Sequence, residues 1–371
     1  MIYLDHSSTS PLLPEVKPAM KKAMDLELGN ASSLHSAGTR ARDLLEESRE
    51  KVARLINADP SEIIFTSGGS ESNNTVMHIF AGRPIAVSAI EHPSVLESAL
   101  EYASRLTKIP VDNSGLIDQN FLKNLFGPEL VSVMLANNEL GTIEPIITSD
   151  KYKFHTDATQ ALGKIEIDVK KLGVDYLTAS AHKIGGPVGV GLLYVKKGSP
   201  FRPLILGGAQ EHHRRAGTTP LINIIGFAAA AEVVFKNKTW ETYENRIRPL
   251  KNRLAKRILQ EIPHSSLNSP LGNSLPNILN VSFAAAEGES IQLYLDTMGN
   301  IEVSTGSACA SSDATPSHVL MATKNDVEIA HSSIRFSFGL DAKESDVDKV
   351  MEILPDIIHR LQGISTIKIK E

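Results

Sequence analysis

Cysteine is nearly absent from this chain: Cys309 is the one thiol in 371 residues. A lone cysteine cannot close an intramolecular disulfide, so a reducing, cytoplasmic setting is expected. Aromatic residues make up only 5%, with a single tryptophan, which leaves the core to aliphatic side chains. Positive charge is not in surplus either. The 38 Lys and Arg against 43 Asp and Glu give a net charge of −5, which argues against nucleic acid as a partner, because phosphate neutralisation needs a basic face. No apolar run reaches the length that spans a bilayer, so no membrane association is expected. The start, Met1-Ile-Tyr-Leu-Asp5, lacks the basic and apolar regions of a secretory signal.

What is present reads as globular, with 42% hydrophobic and 22% charged residues. A chain this long calls for two domains, or one large domain with a smaller one attached. From Glu62 onward, short apolar runs alternate with helical patterns. Glu62–Ser67, Pro84–Ala89, Thr107–Val111, Leu130–Ala136, Lys151–Thr156, Val174–Ser180 and Val188–Val195 read as strands. Helices are expected over 14–28, 34–56, 94–105, 118–126 and 224–235, and from Ser70. A charged helix follows over 241–261, with a kink at Pro249. Thr219-Pro220 reads as a helix N-cap and first residue. Beyond that the order becomes α+β, with strands near 277–283, 301–304 and 333–338 and helices near 289–297 and from Lys343. The β-then-α alternation predicts a mostly parallel sheet whose functional residues collect beyond strand C-terminal ends. His92, Asn137, Asp157 and Lys183 all fall at such ends.

Lys183 lies in Ser180-Ala-His-Lys-Ile-Gly-Gly-Pro187, between two apolar runs and among small residues. A lysine held in dry, crowded surroundings has its ammonium form disfavoured, and a neutral amine can form a Schiff base. The alternative is a solvated loop lysine. Asp157 reads either as an N-cap or as a carboxylate that keeps a proton on a heteroaromatic nitrogen. It precedes Lys183 by one βα unit. A Schiff-base lysine and such an aspartate are the minimum equipment for a pyridoxal phosphate electron sink. Ser67-Gly-Gly-Ser70 opens a helix after a strand and presents amides to an anion. Ser70, Ser180, His182 and Thr218 are then candidate phosphate donors. His92 is either a helix-start histidine or an imidazole stacked on the cofactor and moving protons.

Cys309 sits among small and polar neighbours in Ser304-Thr-Gly-Ser-Ala-Cys-Ala-Ser-Ser-Asp313. That setting suits a mobile nucleophilic thiolate, the alternative being an inert buried thiol. Arg335, inside a strand-like segment, is either a paired interior arginine or a fork for a substrate carboxylate. His212 and His213 are adjacent, and adjacent side chains seldom reach one ion, so no metal site is expected.

These motifs together resemble the cysteine desulfurases among the fold type I, class V aminotransferase-like pyridoxal phosphate enzymes. The resemblance runs through Tyr3-Leu-Asp-His-Ser-Ser-Thr-Ser-Pro11, Phe65-Thr-Ser-Gly-Gly-Ser-Glu-Ser72, Glu91-His92, Asn137-Asn-Glu-Leu-Gly141, Asp157-Ala-Thr-Gln160, Ser180-Ala-His-Lys183, Arg215-Ala-Gly-Thr218, Gly306-Ser-Ala-Cys309 and Ser332-Ser-Ile-Arg335. It implies an α/β fold: a large domain (14–242) on a mostly parallel sheet of the seven-stranded type, and a small α+β domain (1–13 and 243–371). It implies Lys183 as the cofactor tether, Asp157 on the ring nitrogen, Gln160 by the ring hydroxyl and His92 on the ring face. Ser70, Ser180, His182 and a partner subunit's Thr218 would hold the phosphate. Asn137 and Arg335 would grip the carboxylate of L-cysteine, and Cys309 would take its sulfur as a persulfide, releasing alanine. A homodimer and a sulfur-acceptor or cluster-scaffold partner are implied as well. Selenocysteine lyase or aminotransferase activity, or an inactive scaffold role, are the alternatives. The chain departs from the family pattern at Ala31, where proline is usual, and at His213, where glycine is common.

Overall fold

The computed structural model describes residues 1–305 and 315–366; Cys309, the expected sulfur acceptor, lies outside the described residues. Its larger sheet contains β2 (Ile63–Thr66), β3 (Pro84–Ser88), β4 (Arg105–Ile109), β5 (Leu130–Ser132), β6 (Lys153–Asp157), β7 (Tyr176–Ser180) and β8 (Gly191–Val195). Their order is β2-β8-β7-β6-β5-β3-β4, and β8 alone runs against its neighbours. The mostly parallel α/β sheet expected from the alternation is the one observed.

Period-two alternation sorts side chains to the two faces of this sheet. Ile63 and Phe65 of β2, Ala86 of β3, Leu177 of β7 and Leu192 of β8 join one core with helices Ser36–Leu55 and Leu221–Lys236. The intervening Ile64, Ile85, Val87, Tyr176 and Leu193 face the opposite side, against helices Gly69–Ile79 and Pro93–Tyr102. Both faces are covered, which is why these strands read as continuous apolar runs.

A second core takes in Leu4 and residues from Tyr243 to Leu361. Its sheet places β10 (Ile278–Phe283) between β9 (Ser265–Leu267) and β12 (Ser333–Ser337), all antiparallel. The chain start, β1 (Ile2–Tyr3), pairs in parallel with β11 (Ile301–Glu302), which carries Leu4 into that core.

Several local expectations shift. The helix expected from Thr219-Pro220 starts at Leu221, with Pro220 at the N-cap and no side-chain cap bond. The charged helix is interrupted not by a simple kink but by a π-turn, Tyr243–Ile247, just before Pro249. The extra residue in that turn absorbs the hydrogen bond that proline cannot donate. Helices His318–Lys324 and Val327–His331 are additional to the sequence reading. No helix is long and apolar enough to cross a membrane, and no group of acidic, His or Cys side chains is arranged to hold a metal, among the described residues.

Candidate active site

The C-terminal ends of β2, β3, β5, β6 and β7 open onto one cleft of about 380 Å³. Ser70, His92, Asp157, Gln160, Ser180, His182, Lys183 and Arg335 all line it. After Ser180 ends β7, the turn Ala181–Ile184 carries Lys183 into the cleft and closes at Gly185, whose φ is +76°. A Cβ there would lie 2.7 Å from Leu13 Cγ, so only glycine fits. Gly191 has a similar role in β8: an added Cβ would come within 2.7 Å of Gly68 Cα at the turn before the Gly69–Ile79 helix.

The Lys183 ammonium donates to Ser7 O and, at 2.7 Å, to Ser8 O. The N-terminal segment therefore closes one wall of the cleft. Gln160 Nε2 also donates to Ser7 O, at 2.9 Å. Asp157 accepts from Asn73 Nδ2 at 2.8 Å and from Thr159 N at 2.9 Å. No helix begins at Ala158, so Asp157 is not the expected helix N-cap: one oxygen closes a turn onto Thr159 N and the other is held by Asn73, at the lining of the cleft. Beneath it, His155 bonds Ser132 Oγ at 2.8 Å and Thr178 Oγ1 at 3.1 Å, and burial pushes its imidazole down to about 4.

His92 accepts from Ser94 N at 3.1 Å through Nδ1. That bond puts the proton of the neutral ring on Nε2. Burial lowers its pKa; the Asp157 carboxylate pulls it upward, while Lys183 and His318 add to the lowering. Burial, Lys183 and Lys164 together push His182 down to about 4. Both rings are neutral near neutral pH, able to donate from one nitrogen without adding charge.

Arg335 is buried on β12. It donates to Asn138 O at 3.0 Å, Ser8 Oγ at 2.8 Å and Asp5 Oδ1 at 2.9 Å, while its Nε has no partner. Both Nη groups are thus occupied within the protein, as in a paired interior arginine, and Nε is the donor left over.

One residue expected at this chain's own cleft is not brought to it. Asn137 is fully buried and turned inward: it donates to Ile90 O at 3.0 Å and accepts from Glu139 N at 2.9 Å and Leu140 N at 2.8 Å. It shapes the turn after β5, and its neighbour Asn138 lines the cleft instead. Thr218 is exposed on the Gly207–Thr219 loop, away from this chain's own cleft lining. Ser7, Ser8, Asn73 and Thr159 line the cleft without having been singled out. Ser7 and Ser8 belong to the Tyr3–Pro11 motif, Asn73 is one helical turn beyond Ser70, and Thr159 sits between Asp157 and Gln160.

Buried polar atoms without a protein partner concentrate here: Ser7 Oγ, Asn73 Oδ1, Thr159 Oγ1, Gln160 Oε1 and Arg335 Nε. Buried polar groups in a native fold find partners, so this set fits a polar ligand. At one end the Gly69–Ile79 helix presents its first amides beside Ser70, Ser180 and His182, which suits a phosphate. At the other, Asp157 suits a protonated ring nitrogen. The residues present fit pyridoxal phosphate.

The aminotransferase class-V family model matches residues 2–350. The chain belongs to the class-V aminotransferase family. Within that family it is 44% identical to cysteine desulfurase IscS of Dictyoglomus turgidum, covering 99% of this chain and 97% of that protein. Cysteine desulfurase IscS 1 of Archaeoglobus fulgidus is 42% identical, covering 98% of this chain and 99% of the relative. The NifS-like protein structure from Rickettsia africae superposes with a TM-score of 0.89 at 34% identity, covering 97% and 99% of the two chains. SspA in complex with cysteine superposes at 0.78 and 31% identity, covering 91% and 99%. The family fold is therefore the one this chain adopts.

Proposed function

We propose that this class-V aminotransferase family member is a pyridoxal phosphate-dependent cysteine desulfurase that works as a homodimer. The observation that carries the reading is the meeting of Lys183 and Asp157, on adjacent strand ends, in one cleft of unpartnered polar atoms. The nearly full-length likeness to proteins named cysteine desulfurase supports the activity, and the cysteine bound by SspA supports the substrate.

In this reading Lys183 tethers the cofactor, and Asp157, fixed by Asn73 and Thr159, keeps the ring nitrogen protonated. Gln160 serves the ring hydroxyl and His92 lies on the ring face. Ser70, Ser180, His182 and the helix amides take the phosphate, joined by Thr218 from a second copy. When bound, the group supplies an electron sink that acidifies the Cα of an attached amino acid. Arg335 and Asn138 orient the substrate carboxylate, the Lys183 amine carries the Cα proton, and Cys309 takes the sulfur as a persulfide while alanine leaves. The sulfur then passes to a cluster-assembly scaffold or another acceptor, in the cytoplasm. We assign 14–242 to a cofactor-binding domain and 1–13 with 243–371 to a small domain, a division supported by the second core that joins Leu4 to residues from Tyr243 on.

The test is borohydride reduction of the purified protein with peptide mapping, together with alanine and sulfide assays on L-cysteine. Cofactor should be fixed on Lys183, and Cys309→Ala should bind it yet release no sulfide. Cofactor absent from Lys183 defeats the reading, as does a Cys309→Ala variant with full activity.

A further inference from the structure

Lys164 is 2% exposed and donates to the backbone carbonyl of Lys183. Among the described residues it has no acidic partner within ion-pair distance. It lines a second cavity that shares Lys183 with the cleft and is walled by the N-terminal segment, the Lys183 turn and the start of the second core. The titratable groups lining it besides Lys164 are His6, Lys183, Tyr243 and Asp341, and the same elements carry Asp5 and His182 beside it. Asp341, the one carboxylate in that lining, has its side chain 89% exposed and lies 3.9 Å from His6 Nε2, while Asp5 is paired with Arg335. A buried cation without a counter-ion is costly, and none of the roles proposed above uses this one.

We propose that Lys164 is a positioning residue for Lys183: it anchors the Lys183 carbonyl, and while charged it favours the neutral Lys183 amine, the form that attacks a carbonyl carbon. The inference rests on the reading of Lys183 as the tether. Its electrostatic part follows from reciprocity. Burial first, and the Lys183 charge second, push Lys164 down to about 7. Two coupled sites disfavour each other's proton equally. A charged Lys164 therefore opposes protonation of Lys183, and the effect fades as Lys164 itself loses its proton above neutrality.

The experiment labels the full-length chain, freed of cofactor, with trace acetic anhydride over a range of pH, and quantifies acylation of Lys183 by mass spectrometry. Below neutrality, Lys183 of Lys164→Met and Lys164→Gln should react about tenfold more slowly than wild type. In alkaline buffer, where wild-type Lys164 is neutral, the rates should converge. Lys164→Arg keeps its charge throughout and should retain the fast rate at every pH. Gln keeps a donor toward the carbonyl, so a purely structural role would leave Lys164→Gln like wild type; that result overturns the proposal. Equal rates in all variants below neutrality overturn it too. If Lys164→Met does not fold, the Gln and Arg variants decide. Labelling reads Lys183 whether or not it binds cofactor, so this outcome is separable from the borohydride result on the tether.

Discussion

The Glu211→Ala substitution tests how the Gly207–Thr219 loop is fixed to the body of the protein. Strand β2 is at the edge of the large sheet, so its outward N–H and C=O groups lack a neighbouring strand. A buried ion pair takes that place. Arg49 Nη1 and Nη2 contact Glu211 at 2.6 and 2.8 Å; Arg49 also donates to Ile63 O at 3.1 Å, and Glu211 accepts from Phe65 N at 2.9 Å. The Arg49 guanidinium is 4.9 Å from the Phe65 ring centroid. Only 2% and 3% of the two side chains are exposed. Truncating Glu211 leaves the buried guanidinium with only the half-exposed Glu46 carboxylate, 3.1 Å from its Nε, and strands the Phe65 N–H, which should cost about 3 kcal/mol. Replacing both partners, as Arg49→Met with Glu211→Leu, removes that charge and leaves the Phe65 N–H unpaired, while Ile63 O keeps its bond from Arg214 Nη2 at 3.2 Å. That double variant should be destabilised by only about 1–3 kcal/mol. Urea unfolding of the single and double variants, with the transition slope checked for constancy, measures both. If Glu211→Ala costs less than about 1 kcal/mol, the pair behaves like a surface salt bridge and the edge-closing account is wrong. A double variant worse than the single one would refute it equally.

A second prediction concerns pH. Burial, reinforced by Asp157 and opposed by donors from Ser88 and Met134, pushes the Glu91 carboxyl up to about 8. Its folded value then lies above its unfolded one, so its contribution is complete below the ordinary carboxylate range and is lost as pH rises toward about 8. Glu91→Gln should flatten that decline, and unfolding free energies across pH with an unchanged slope would count against it. A third prediction separates neighbouring asparagines. Asn137→Ala should destabilise by about 2 kcal/mol through three lost backbone partners; Asn138→Ala should spare stability but raise the KM for cysteine several-fold. Steady-state kinetics beside urea unfolding distinguishes this from the reverse assignment.

The sheet was legible because strands covered on both faces are written as apolar runs, and because β-then-α order fixes which strand ends share a crevice. That order alone brings Asp157 and Lys183 to one crevice. Asn137 and Asn138 could not be told apart, since adjacent residues in a turn point differently according to the turn's backbone. Lys164 was hidden for another reason: in Leu162-Gly163-Lys164 it looks like any charged residue at a turn, and only tertiary packing buries it. Helices His318–Lys324 and Val327–His331 are too short to show a helical period.

The least legible contact is the one on which the site most depends. Ser7 O receives Lys183 from 176 positions away, and Asp5 and Ser8 receive Arg335. The same segment is anchored at Leu4 in the second core and, through Ser10 N to His182 O at 2.9 Å, on the Lys183 turn itself. Residues 4–10 thus join the candidate tether, the candidate carboxylate fork and both cores in one continuous stretch. A displacement of either core must be transmitted along that stretch to Lys183 and Arg335 together, because the segment is short, hydrogen-bonded at both ends and packed between them. The distance between tether and fork is therefore set by how the two cores pack, and not by the local sequence around either residue.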